Sequence, residues 1–238
     1  METFEVIGRS EGARGEVVLR RRVSDGPDVE ELIINGAFAM DSSETSTERL
    51  LADLAVPSGR AQRVLIGGLG LGYTVSAVST KDVESIDVVE IEQCLIEWAH
   101  QGATAELAAV AADPRVRLHA SDITAVLEGV SVEPVGPWDA IVLDVDNGPD
   151  FLICEGNRTL YTGTGLTAAY SQLTPGGTLA IWCQHPAQEL LLLLKAIAVS
   201  AAEHIIDVSR GRRSFPYTIY TISRPQGNGV HGAPDSGG

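Results

Sequence analysis

From residue 63 onward the chain alternates short apolar runs with helical stretches, and the first run leads into Gly67-Gly68-Leu69-Gly70-Leu71-Gly72. This alternation constrains the fold more than any other feature. Repeated strand–helix units bury their apolar faces by forming a parallel sheet with right-handed crossovers and helices on both sides. Residues 64–66 (VLI) read as a buried strand, and a helix over 73–79 follows the glycine loop. Strands are expected at 86–89, 116–118, 140–143 and 178–182, and helices at 93–101, 166–173 and 187–202. A last pair of strands is expected at 203–208 and 217–222. The fold class is therefore α/β, a Rossmann-like doubly wound, mostly parallel sheet.

The segment before it has another texture. Residues 16–22 (EVVLRRR) and 31–34 (ELII) flank Ser24-Asp25-Gly26-Pro27, which predicts a hairpin. Residues 48–56 (ERLLADLAV) place Leu50, Leu51 and Leu54 on one side of a short helix. The division that follows is a small β-rich hairpin segment with a linking helix over 1–56, a Rossmann-like domain over 57–223, and a Gly/Pro/Ser-rich tail over 224–238.

Charge narrows the partners. The chain has 17 Lys and Arg against 32 Asp and Glu, a formal net charge of −15. Nucleic-acid backbones and anionic membranes both require clustered cations, so neither is expected as a partner. Cys94, Cys154 and Cys183 are scattered, and the histidines lack ligand spacing, so no disulfide framework and no metal site is expected. The start, METFEVIGRSEGARG, lacks an apolar signal core, and the aliphatic run 190–194 is too short to span a bilayer. The expected setting is cytoplasmic.

The candidate chemistry lies at four successive strand ends. Gly68, Gly70 and Gly72 would let the backbone approach a ligand at a helix N-terminus, although a tight turn without a ligand reads the same way. Glu90, after the second strand, can accept both hydroxyls of a ribose or simply open a helix. Asp122, after the third, can accept the amine of an adenine or cap the next turn. Asp144 and Asp146, after the fourth, sit where open α/β sheets bind ligands, in a segment that also reads as a surface turn.

On these residues the chain resembles the spermidine synthases, the polyamine aminopropyltransferases, which share the fold of class I S-adenosylmethionine-dependent methyltransferases. The matching pieces are VLIGGLGLG, VVEIE, DPRVRLHASD, WDAIVLDVDNGP, LY before a helix, and LTPGGTLAIW. Residues 32–56 resemble that family's β-rich N-terminal domain and the link after it. The resemblance implies that Gly68, Gly70 and Gly72 line the sulfonium and ribose of a donor, with Glu90 on the ribose and Asp122 on the adenine. The donor substrate would be decarboxylated S-adenosylmethionine or S-adenosylmethionine. Asp144 matches the first aspartate of the family's catalytic D-x-x-D-P loop, whose carboxylate helps deprotonate an amine. The resemblance further implies a small-molecule amine acceptor and a homodimer.

Three motifs depart from the family pattern. Leu71 stands for an aspartate that holds the donor's amino group. Asn147 takes the place of the second loop aspartate unless Asp146 substitutes for it. Ser46-Thr47-Glu48 replaces a Tyr-His-Glu, and Thr45-x-x-Glu48 also reads as a capping box. Glu48, Asn147 and Tyr161 are the candidate acceptor-side residues, with packing the plainer role for Tyr161. A methyltransferase using S-adenosylmethionine, which Leu71 favours, and a non-catalytic nucleoside-binding homologue are the alternative functions.

Overall fold

The computed structural model describes residues 2–12, 15–145, 147–150, 152, 155–210 and 213–227. Strands β1 (Thr3–Gly12), β2 (Gly15–Val23), β3 (Val29–Ile34) and β4 (Ala37–Asp41) form an antiparallel sheet in that order. The hairpin read from the sequence is the β2–β3 pair, with Leu19 opposite Leu32. Helix α1 (Ser46–Ala55) then leads into the second sheet.

The larger sheet comprises β5 (Arg60–Gly67), β6 (Asp82–Glu90), β7 (Val116–Ala120), β8 (Trp138–Leu143), β9 (Leu173–Cys183), β10 (Ala202–Arg210) and β11 (Arg213–Ser223). Their order is β10-β11-β9-β8-β5-β6-β7. Pairing is parallel from β7 across to β9, and β11 runs antiparallel to both β9 and β10. The connecting helices are α2 (Tyr73–Ser79), α3 (Gln93–Gln101), α4 (Ala105–Ala112), α5 (Ile123–Leu127), α6 (Gly163–Ser171) and α7 (Gln188–Ile197).

Strand alternation divides the core into two layers. Val64, Ile66, Val88 and Val142 pack with Leu51 of α1, Val75 of α2, Leu95 of α3 and Leu107 of α4. Leu65, Val89, Ile141 and Leu143 pack on the other face with Val126 of α5, Leu166 of α6 and Leu190 of α7. Val17, Leu19 and Leu32 of the first sheet belong to the first layer, so the two sheets share one core.

Several elements differ from the sequence expectation. β1 and α4 were not anticipated, and the helix expected over 187–202 stops at Ile197, with β10 beginning at Ala202. Leu190 and Leu194 hold that helix to the core, whereas Val199 is fully exposed, so nothing buries a further turn. Arg224, where a loose tail was expected to begin, is tied to β9: its guanidinium donates to the Leu173 carbonyl at 2.6 Å. Most of the expected tail lies outside the described residues. Among the described residues no helix is long and apolar enough to cross a membrane.

Strand order reverses on either side of β5, because the chain leaves β5 toward β6 and returns as β8. The loops after β5 and β8 part there, and a crevice opens at the carboxyl ends of the strands.

Candidate active site

A cavity of about 580 Å³ occupies that crevice, walled by the ends of β5, β6, β8, β9 and β11 and by β3, β4 and the start of α1. Its floor is the glycine loop. Gly68 has φ +94°, and a Cβ there would lie 2.1 Å from the Asp144 carbonyl oxygen. Only glycine lets the β5 and β8 ends come this close. At Gly70 a Cβ would lie 2.6 Å from the Met40 sulfur, so the thioether from β4 fills the space any side chain would need. Gly68 and Gly70 line the cavity; Gly72 instead caps α2 and faces Val110 of α4. Leu71 is fully buried in the core and does not line the cavity.

Glu90 closes the adjacent wall. Its Oε2 accepts the Leu69 N–H at 2.7 Å and its Oε1 accepts the Glu92 N–H at 2.8 Å. Burial raises its pKa, and backbone N–H groups, Glu92's and Leu69's the largest, oppose that rise. A carboxylate has about four acceptor positions, so the backbone N–H groups of Leu69, Glu92 and Ile91 leave acceptor capacity for a ligand hydroxyl. Past the end of β7, Ser121 lines the cavity. Asp122 does not: its Oδ1 accepts the Thr124 N–H at 2.8 Å as the N-cap of α5.

Asp144 and Glu48 meet the same cavity from different elements. Asp144 ends β8 and accepts from Thr74 Oγ1 at 2.6 Å; burial raises its pKa and this hydroxyl opposes the rise. Glu48 stands in the first turn of α1 and is buried, with Thr47 Oγ1 donating to it at 2.9 Å. Burial first and repulsion from Asp144 second push its pKa up to about 7. The expected capping box is not formed by Thr45, whose side chain makes no cap bond. Asn147 lines the cavity, and Tyr161 is packed in the second core layer instead. Asp146 lies outside the described residues.

The sequence reading missed several cavity residues. Thr74 was signalled only by its place in the first turn of the helix after the glycine loop. Trp182 lies one residue before the end of β9, and extending the strand-end argument to a fifth strand would have flagged it. Its ring meets Tyr217 edge-on at 5.3 Å, and Phe215 stacks beyond at 6.4 Å, so aromatic rings form the β9–β11 wall. Asp41 ends β4, and Glu44 enters from the link before α1. The described lining carries six carboxylates (Asp41, Glu44, Glu48, Glu90, Glu92 and Asp144) and no Lys, Arg or His.

Strand order, the reversed β11 and the placement of the cavity define a class I methyltransferase-like fold preceded by a small antiparallel sheet. Among solved structures the chain is similar to spermidine synthase in complex with the transition-state analogue AdoDATO, with a TM-score of 0.70 and 19% identity over 91% of this chain and 73% of that one. It is also similar to spermidine synthase from Thermotoga maritima, with a TM-score of 0.69 and 18% identity over 91% and 72%. A probable spermidine synthase from Corynebacterium glutamicum gives 0.58 and 21% over 91% and 79%. The chain thus has the spermidine synthase fold. No family model matches it, and no curated protein matches it.

Proposed function

We propose that the protein is a transferase of the aminopropyl type, moving that group from decarboxylated S-adenosylmethionine to an amine. The observation that carries this reading is the cavity lining, with six carboxylates and no basic side chain among its described residues. Such a wall favours ligands with positive charge and penalises those with negative charge. The decarboxylated donor is doubly cationic, with a sulfonium and an ammonium. Undecarboxylated S-adenosylmethionine adds a carboxylate that would meet no Lys, Arg or His among the described lining residues. In this reading Glu90 receives the ribose hydroxyls, and Gly68 and Gly70 lie under the ribose and sulfur. The adenine falls near Ser121, while Asp122 reaches it only with the oxygen not used in capping. Asp144 pairs with the acceptor's ammonium.

One observation favours methyl transfer as the second reading. The glycine loop contributes no carboxylate toward a donor ammonium, since Leu71 points into the core and Met40 occupies the space at Gly70. Product analysis separates the two. The protein is incubated with each donor and a panel of amines. Release of 5′-methylthioadenosine from the decarboxylated donor supports aminopropyl transfer, and S-adenosylhomocysteine from the other donor supports methyl transfer. If neither product forms, both readings fall.

A further inference from the structure

We propose that Glu48 is the group that takes the proton from the acceptor amine, with Asp144 remaining the anion that holds that amine in place. This assignment rests on the transfer reading above and divides the work between two elements rather than within one loop.

The geometry treats the two carboxylates differently. Asp144 Oδ2 accepts from the Thr74 hydroxyl at 2.6 Å, a short bond that opposes the rise burial imposes on its pKa. Glu48, on the first turn of α1, accepts from its neighbour Thr47 at 2.9 Å and from its own backbone. The titratable groups that line the cavity from elements around α1 are Glu44 in the link before it, Asp144 after β8, Tyr73 of α2 and Tyr217 of β11. Cys183 of β9 is buried and does not line the cavity. Every charge facing Glu48 in that set is therefore negative. Thr74 favours the anion at Asp144 and the charge of Asp144 raises Glu48, so a proton entering the pair is assigned to Glu48, whose pKa of about 7 suits a base working near neutrality.

The step balances without a further reagent. An amine arriving as R–NH₃⁺ gives one proton to the Glu48 carboxylate and gains a nitrogen lone pair. That pair forms the N–C bond to the carbon next to sulfur. The C–S bond breaks, and its electron pair turns the sulfonium into a neutral thioether. The product leaves as a secondary ammonium, and Glu48 returns its proton to water.

The test is the pH dependence of kcat at saturating donor, for wild type, Glu48→Gln and Asp144→Asn. Wild-type activity should fall on the acid side with a midpoint near 7. Glu48→Gln should lower kcat at neutral pH by about 10²–10⁴-fold, with donor affinity within a few-fold. Its acid limb should vanish, leaving a rate that climbs toward the pKa of the free amine. Asp144→Asn removes the repulsion on Glu48, so the limb of its residual activity should move to lower pH. If Glu48→Gln keeps more than about a tenth of the wild-type kcat, or keeps the limb in place, the assignment is overturned while transfer itself stands. If wild type releases no methylthioadenosine with any amine, the transfer reading and this assignment fall together.

Discussion

Glu48 and Glu90 are both buried acids of the cavity, yet they respond differently to substitution because their partners differ. Glu48 has a pKa near 7 in the fold and about 4.5 in the unfolded chain. Between those values the folded protein binds a proton that the unfolded chain has released, so stability falls as pH rises through this window. At about 1.4 kcal/mol per unit, the loss attributable to Glu48 is about 3 kcal/mol. Urea unfolding of wild type and Glu48→Gln at pH 4.5 and pH 7.5 should show it, with the variant gaining on wild type at the higher pH; parallel curves would reject the coupling. Glu90 instead satisfies two backbone donors, Leu69 N–H and Glu92 N–H. Glu90→Ala leaves both unpaired in a buried setting, which should lower stability by about 1–3 kcal/mol and weaken nucleoside binding together. Calorimetry with methylthioadenosine checks the second part, and unchanged affinity would remove Glu90 from the ribose role. Glu90 was readable because a strand end fixes where its side chain goes. Asp122 shows the limit of the same argument: a carboxylate one residue before a helix caps it whether or not a ligand is near.

Among the elements, α1 joins the two sheets. Leu51 is fully buried in the core layer shared by β2, β3, β5 and β8, while Glu48, one turn earlier, faces the cavity. Leu51→Ala should cost about 2–5 kcal/mol through the lost contacts and the cavity left behind. Because α1 also carries Glu48, the same change should lower kcat by a larger factor than it raises the Kd for the nucleoside, which rests on β5 and β6. Equal effects on both constants would show that α1 only supports the fold. The sequence revealed α1 by its Leu50-Leu51-Leu54 pattern, and α2 and α3 with their observed limits. It did not reveal α4, whose run AELAAVAA is apolar nearly all round and so has no amphipathic period to read. It also hid β1, an edge strand whose residues are mostly exposed, so alternation left little trace there. Met40 against Gly70 was beyond reach for another reason. The contact joins β4 to the glycine loop across thirty residues, and no local pattern encodes such a pairing.

At the scale of the whole molecule the net charge of −15 and the acidic cavity act in the same direction. Charges spread over the protein raise the local concentration of a cation near the cavity mouth, and those inside select it. The two contributions differ in range. Added salt shortens the Debye length from about 30 Å at 0.01 M to about 10 Å at 0.1 M, which removes the long-range part and spares buried pairs. A neutral nucleoside samples neither, so its affinity reports the shape and hydrogen bonds of the donor pocket alone. Decarboxylated S-adenosylmethionine shares that nucleoside and adds two positive charges. Across this salt range methylthioadenosine should keep its Kd within about two-fold, while the decarboxylated donor and the amine acceptor each weaken several-fold. Undecarboxylated S-adenosylmethionine has one net positive charge and should show a shallower slope than its decarboxylated form. Calorimetric titrations of the three nucleosides at 0.01, 0.03 and 0.1 M sodium chloride would measure these slopes. A common slope for all three would mean that the six carboxylates of the lining do not read the charge of the ligand. The choice of an aminopropyl donor over S-adenosylmethionine would then lose its physical basis, even though the fold and the nucleoside pocket would be unaffected.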